Sequence, residues 1–172
     1  DQKGAPGMQI LVARKGKVVF NKNYGGHTYG KNDPVESTDL YDIASVTKIL
    51  ATLPLIMELE DRKVLTLDEP IGVFDAKFKN TNKSEITLKE MLSHYARLKP
   101  WIPFYAYTLD TLDRTPLKEF YSKTQSKLYP IEVADHFYAS PIVGDTIFNR
   151  IAESDLLEKL RYKYSDLPYY IL

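Results

Sequence analysis

Ser45 and Lys48 stand three positions apart in the stretch Tyr41-Asp42-Ile43-Ala44-Ser45-Val46-Thr47-Lys48, directly ahead of an apolar run from Ile49 to Leu59. At the first turn of a helix, positions i and i+3 share a face and their side chains touch. A serine hydroxyl is a weak nucleophile until a neighbour takes its proton, and a lysine amine is able to do so when it is neutral. The pair therefore offers a nucleophile beside a base.

The helix behind the pair is expected to supply the neutrality. No charged residue lies between Lys48 and Glu58, and Ile49, Leu50, Leu53, Leu55, Ile56 and Met57 cover nearly every face, the pattern of a buried helix. At its N-terminal end the macrodipole and a low-dielectric interior both disfavour an ammonium ion. The plainer reading of S-x-x-K is a surface helix start with a serine N-cap. Such short patterns recur by chance, and the wholly apolar continuation sets this one apart.

Composition narrows the function classes. Lys+Arg and Asp+Glu each number 23, so the net charge is zero and no general attraction to nucleic acid or anionic membrane is expected. The absence of cysteine excludes disulfides, thiolate metal sites and a cysteine nucleophile. No apolar run approaches the ~20 residues of a membrane span. A length of 172 residues fits one domain with a sizeable core. Asp1-Gln2-Lys3-Gly4 has neither a start methionine nor an apolar leader, which reads as a processed chain or an excised piece.

The elements that must position the pair follow in chain order. Met8–Arg14 and Val18–Phe20 read as two antiparallel strands joined across Lys15-Gly16-Lys17, the first strand apolar enough to be covered on at least one face. Residues 21–32, with Gly25, Gly26 and Gly30, read as a loop, and His27 within it as a surface residue. Thr38, Asp39 and Asp42 are capping candidates for the Ser45 helix, and Pro54 should kink or locally reorganise it. Thr87 and Glu90 form a capping box that opens a brief second helix. Trp101, Phe104, Tyr105 and Tyr107 form an aromatic patch able to fill a core or line a cleft. Residues 110–135 read as a surface excursion without sustained period. Residues 145–152 and 156–160 have helical spacing, and Pro168 at a helix N1 position would make Ser165 or Asp166 a cap. No His/Asp/Glu cluster has metal-ligand spacing, so neither metal nor cofactor is implied.

Taken together these residues give the chain a resemblance to the serine β-lactamase and penicillin-binding protein superfamily, nearest its class C and D-alanyl-D-alanine carboxypeptidase-like branch. That family carries S-x-x-K at a helix start, Y-x-N or S-x-N on a loop, and K-T-G or a variant on a strand. Ser45-Val46-Thr47-Lys48 matches the first, and Tyr164-Ser165-Asp166 matches the second with Asp in place of Asn. Met91-Leu92-Ser93-His94 looks like the family's L-L-T-H segment, although Tyr95-Ala96-Arg97-Leu98 departs from the T-S-G-L that follows it there. The third motif has no counterpart, since Lys123-Thr124 is followed by Gln125. The surroundings of Trp101 further resemble a branch in which such a domain follows a family 3 glycoside hydrolase.

The resemblance implies an α+β fold, a helical subdomain beside an antiparallel sheet. In that fold 1–32 supply the sheet hairpin and loop and 33–172 the helical subdomain of one domain. It implies acyl transfer on an amide or ester, with Ser45 attacking, Lys48 and Tyr164 sharing the proton transfers, and the Ser45 backbone N–H as one oxyanion donor. Asp166 plays a supporting part, although an anion there favours charged Lys48 and works against its use as a base. The implied partner is a small-molecule or peptidoglycan-derived substrate, a β-lactam, a D-amino-acid peptide or an ester, in a periplasmic or secreted setting. The other function class left open is a non-catalytic binding domain of a larger envelope enzyme. Because the family's hairpin pairs with strands from the C-terminal part, this chain is expected to be a fragment. Its missing strands would come from the rest of the chain or from another chain, and alone it would be catalytically poor.

Overall fold

The computed structural model describes residues 4–172, and the chain divides into two compact units, Asp1–Ala44 and Ser45–Leu172. The fold class is α+β, with short helices and small antiparallel sheets.

In the first unit, β1 (Gly7–Arg14) and β2 (Lys17–Gly25) form the expected hairpin. Lys15 and Gly16 both take positive φ, 49° and 74°, the geometry that matches a two-residue turn to strand twist. The second strand runs on to Gly25, so 21–25 are paired strand and not loop. The pairing reaches Gly7↔Gly25 and is extended by a Gly26↔Pro34 bridge and by Val35 N–H donating to the Gly25 carbonyl at 3.1 Å. These bonds attach Pro34 and Val35 to the hairpin. The expected cover over the first strand is not there. Met8, Leu11, Val12, Val18 and Val19 are all exposed, because a two-stranded ribbon brings no layer of its own to bury either face. His27 lies between two carboxylates, 3.0 Å from Asp33 and 2.8 Å from Asp39, which raise its pKa, the Asp39 hydrogen bond most.

The second unit begins with a π-helical turn, Lys48–Thr52, that runs directly into α1 (Leu53–Asp61). Pro54 explains the junction. It has no N–H to donate and its ring crowds the preceding turn, and the wider turn just before it, closed by Leu53 N–H to the Lys48 carbonyl, accommodates both. None of Thr38, Asp39 or Asp42 caps this helix. Asp39 accepts from Glu36 N–H and Asp42 from Ala44 N–H, both bonds local to the preceding loop. The all-round burial expected of the helix also fails: Ile56 is buried, whereas Ile49, Leu50, Leu55 and Met57 are about 60% exposed.

The core of this unit is instead assembled from Ile56, Phe78, Leu88, Met91, Leu98, Ile151 and Leu167 with their neighbours. Alongside α2 (Ile71–Phe74), the short helix α3 (Leu88–Leu92) starts at the predicted capping box: Thr87 Oγ1 accepts from Glu90 N–H while the Glu90 carboxylate accepts from Thr87 N–H. Such a cap contributes about 1 kcal/mol, much for so short a helix. The aromatic patch divides. Phe104 opens a 3₁₀ turn, Phe104–Thr108, and is buried edge-on against Tyr170, whereas Trp101 stays half exposed.

The excursion read in 110–135 holds unexpected order, a small sheet of β3 (Tyr121–Ser122), β4 (Ile131–Ala134) and β5 (Phe137–Ala139) in the order β3-β5-β4. Helix α4 (Ile142–Glu153) includes the predicted 145–152, but 156–160 are not helical. Their backbone is used elsewhere: Leu157 N–H donates to the Arg97 carbonyl at 2.7 Å, and Arg97 Nε donates to the Leu157 carbonyl at 2.6 Å. Pro168 is at N1 of α5 (Pro168–Ile171) as expected, but the cap residue is Leu167. Ser165 Oγ accepts from Leu167 N–H at 3.1 Å, one step ahead of the helix.

Candidate active site

Ser45 enters its helix through a strained turn. Ala44 is left-handed at φ 43°, a conformation costly for a residue with a Cβ, and Asp42 Oδ1 braces it by accepting its N–H at 2.7 Å. The Lys48 N–H then closes onto the Ser45 carbonyl at 3.1 Å, and this turn brings Lys48 Nζ within 3.1 Å of Ser45 Oγ. The predicted pair is in contact.

The second half of the site arrives from the far end of the chain. Asp166 Oδ1 lies 2.6 Å from Lys48 Nζ, and the rings of Tyr164 and Tyr169 have their centroids 5.3 and 5.4 Å from the same nitrogen. The Lys48 side chain is only 15% exposed. Burial works to lower its pKa, but the Asp166 carboxylate and the Tyr164 phenol outweigh that, and the net shift is upward. Lys48 is therefore an ammonium at neutral pH: the burial-driven neutrality expected of the helix is overturned, and the opposing effect expected of an anion at Asp166 prevails. Two causes combine: the helix is less covered than its pattern predicted, and a carboxylate sits against the amine.

Tyr164 shifts the other way. The Ser45 hydroxyl and then Lys48 hold its phenol below its ordinary pKa, against burial and the Asp166 charge. Because Lys48 donates to Ser45 Oγ, it occupies a lone pair and leaves the hydroxyl hydrogen free to point at the phenol oxygen. Ser45, Lys48, Tyr164 and Asp166, all singled out in the sequence, thus form one cluster. No local pattern in the sequence signals a place beside Lys48 for Tyr169. His94 stands out in the sequence only as part of the Met91–His94 segment, yet its ring lies 4.5 Å from that of Tyr164.

Lys123-Thr124 is not part of this cluster. It follows β3 in the small sheet, where Thr124 exchanges hydrogen bonds with Ser122. A cavity of about 610 Å³ in the same region is lined by Pro116, Lys118, Tyr121, Tyr129 and Phe137 among others, but by none of the four clustered residues. Among the described residues no group of His, Asp or Glu has the arrangement of a metal site, and no helix is long and apolar enough to cross a membrane.

A hydroxyl, an ammonium, a carboxylate and a phenol of lowered pKa thus meet on this α+β frame. The chain belongs to the beta-lactamase family, whose model matches residues 1–140. It is 35% identical over 96 residues to Protein flp of Staphylococcus aureus, a match covering 54% of this chain and 19% of that protein. Two solved structures share its fold over 96% of this chain and 38% of theirs. One is a beta-lactamase-like protein from Bacteroides dorei DSM 17855 with a TM-score of 0.60 at 23% identity. The other is a class C beta lactamase from Rhodobacter sphaeroides, with a TM-score of 0.59 at 17% identity. The chain thus spans well under half the length of these relatives.

Proposed function

We propose that the chain carries the nucleophile half of a serine hydrolase that acts by acyl transfer on an amide or ester, a β-lactam, a D-amino-acid peptide or a simple ester. The observation that carries this reading is Ser45 Oγ held 3.1 Å from the Lys48 ammonium beside a phenol whose pKa is lowered. Tyr164 takes the Ser45 proton as the oxygen attacks the carbonyl carbon, then returns it to the leaving amine or alkoxide. Water cleaves the resulting acyl ester by the same route in reverse. Lys48 stays charged throughout, stabilising the phenolate, and the Ser45 backbone N–H donates to the developing oxyanion. The bare hairpin and the relatives' greater length support further strands, from the rest of the chain or another chain, that complete the sheet and supply a second oxyanion donor. The setting implied is the periplasm or the exterior.

Fluorescent penicillin or a fluorophosphonate should label the protein covalently, and Ser45→Ala should abolish the label. Equal labelling of variant and parent would sink the assignment.

One observation favours a second reading, a non-catalytic domain that binds envelope ligands. Asp166 stands where the family has an amide and holds Lys48 in a close ion pair. Asp166→Asn decides between the two. Removing the carboxylate takes away the main upward influence on Lys48 and an upward influence on Tyr164, so both pKa values fall. If the cluster is catalytic, labelling at neutral pH should quicken by up to about tenfold, the equivalent of one pKa unit. A parent and an Asp166→Asn variant that both bind muropeptide and acylate with nothing would establish the binding domain.

A further inference from the structure

We propose that His94 is a positioning residue for Tyr164, clamping the backbone on both sides of it while its imidazole lies against the phenol ring. The His94 carbonyl accepts from Lys163 N–H at 2.9 Å, and His94 Nδ1 accepts from Ser165 N–H at 3.3 Å. Tyr164 is the residue between them, and its ring is tilted 43° against the imidazole at 4.5 Å. One side chain and its own carbonyl therefore set where the phenol stands. The clamp needs His94 at φ 61°, a left-handed station that turns Nδ1 and the carbonyl toward the same incoming strand of chain. The neighbouring segment extends the grip, with Ser165 Oγ donating to the Lys99 carbonyl at 2.7 Å and Asp166 N–H to the Pro100 carbonyl at 2.9 Å.

The clamp depends on protonation. An Nδ1 that accepts puts the proton of the neutral ring on Nε2. Protonated His94 would present an N–H to the Ser165 N–H, donor against donor, and release it. The groups facing the ring are Tyr162, Tyr164 and Tyr169, with the charges of Lys48 and Asp166 behind them. Burial and then the Lys48 charge lower the His94 pKa against the opposing Asp166 charge, and the Ser165 N–H donated to Nδ1 suits the same neutral ring, which keeps the accepting form at neutral pH. The grip is thus complete above the depressed pKa and lost as pH falls through it.

This inference rests on the acyl-transfer reading only for its effect on rate, and the test separates the two. In the parent protein, the amide ¹H and ¹⁵N shifts of Ser165 should follow the His94 titration, with a midpoint below 6.5. An amide that stays flat through that titration overturns the clamp. His94→Phe keeps a ring but no acceptor. It should return the Tyr164 phenol, followed by ¹³C-tyrosine NMR and assigned with Tyr164→Phe, toward its ordinary pKa, and slow Ser45 labelling by up to about 100-fold. His94→Asn restores an acceptor and tolerates the left-handed backbone, so it should recover most of both. A folded His94→Phe that behaves like the parent overturns the proposal, as does a His94→Asn that loses as much as His94→Phe. If His94→Phe does not fold, the Ser165 titration and His94→Asn decide. Failure of the parent to label at Ser45 would remove the hydrolase reading and leave the amide and phenol titrations to judge the clamp.

Discussion

Replacing Lys48 with methionine should slow acylation of Ser45 by roughly a hundred- to ten-thousandfold at neutral pH, the range that a positioned acid–base system contributes. The stem keeps its length and loses its charge. Three contacts go with the ammonium, the hydrogen bond into Ser45 Oγ, the ion pair with Asp166 and the charge beside the Tyr164 phenol. Without that charge the phenol rises toward its ordinary pKa, while Asp166, left behind, pushes it in the same direction. The sign of the pH effect follows. A phenol is competent as a base only above its pKa, so the rise of acylation rate with pH should move to more alkaline values in Lys48→Met. Its deficit should shrink as pH approaches ~10, the ordinary tyrosine value. Labelling rates measured across that range check it, and an unshifted profile would show that Lys48 does not govern Tyr164.

Phe78→Ala should be the most damaging single change to stability among the core positions. Phe78 is fully buried at the centre of the second unit's cluster, in a turn where its carbonyl also accepts from Thr81 N–H at 3.1 Å and from Thr81 Oγ1 at 2.9 Å. Emptying a phenylalanine site costs about 3–5 kcal/mol in lost transfer energy and residual cavity. Total domain stabilities are only ~5–15 kcal/mol. At ~2–4 °C per kcal/mol for a chain of this size, the melting temperature should fall by roughly 6–20 °C. Phe78→Leu, which leaves a smaller void, should lose less. Urea titration with an unchanged slope would attribute the loss to the native core, and a Phe78→Ala midpoint equal to the parent's would show that this cluster does not carry the unit.

What was legible in the sequence was what neighbours in the chain decide. The Ser45–Lys48 contact is one helical turn, the Thr87–Glu90 box is another, and Gly16 marks a hairpin turn that two residues close. The family resemblance supplied Tyr164 and Asp166, and the geometry brings both to Lys48. What could not be read was decided at long range. The balance at Lys48 is one case: the local pattern argues for a neutral amine and Asp166 for a charged one, and only the contact between residues 118 positions apart shows the carboxylate prevailing. Residues 156–160 carry helical spacing, but Arg97, 60 residues earlier, takes the Leu157 carbonyl that a helix would have used. The β3–β5 strands are two to four residues long, too short for alternation to show. Burial of the Ser45 helix was overestimated because an apolar pattern records what a surface could bury, not what reaches it.

Lys83 is the one fully buried lysine of the chain's described core, 1% exposed, with its pKa lowered to about 8 by burial. Its ammonium donates to Asn82 Oδ1 at 2.7 Å, to the Ala152 carbonyl at 3.0 Å and to the Ser154 carbonyl. Those two carbonyls flank the last residue of α4, where a helix leaves acceptors without partners. All three bonds form together only when α4 stops at Glu153. A helix one residue longer would take Ser154 from its extended ψ of 147° to a helical one and turn its carbonyl away from the amine. Lys83 therefore works as a ruler, measuring from the 82–83 turn where the helix must end and fixing the phase in which the chain sets out toward Tyr164.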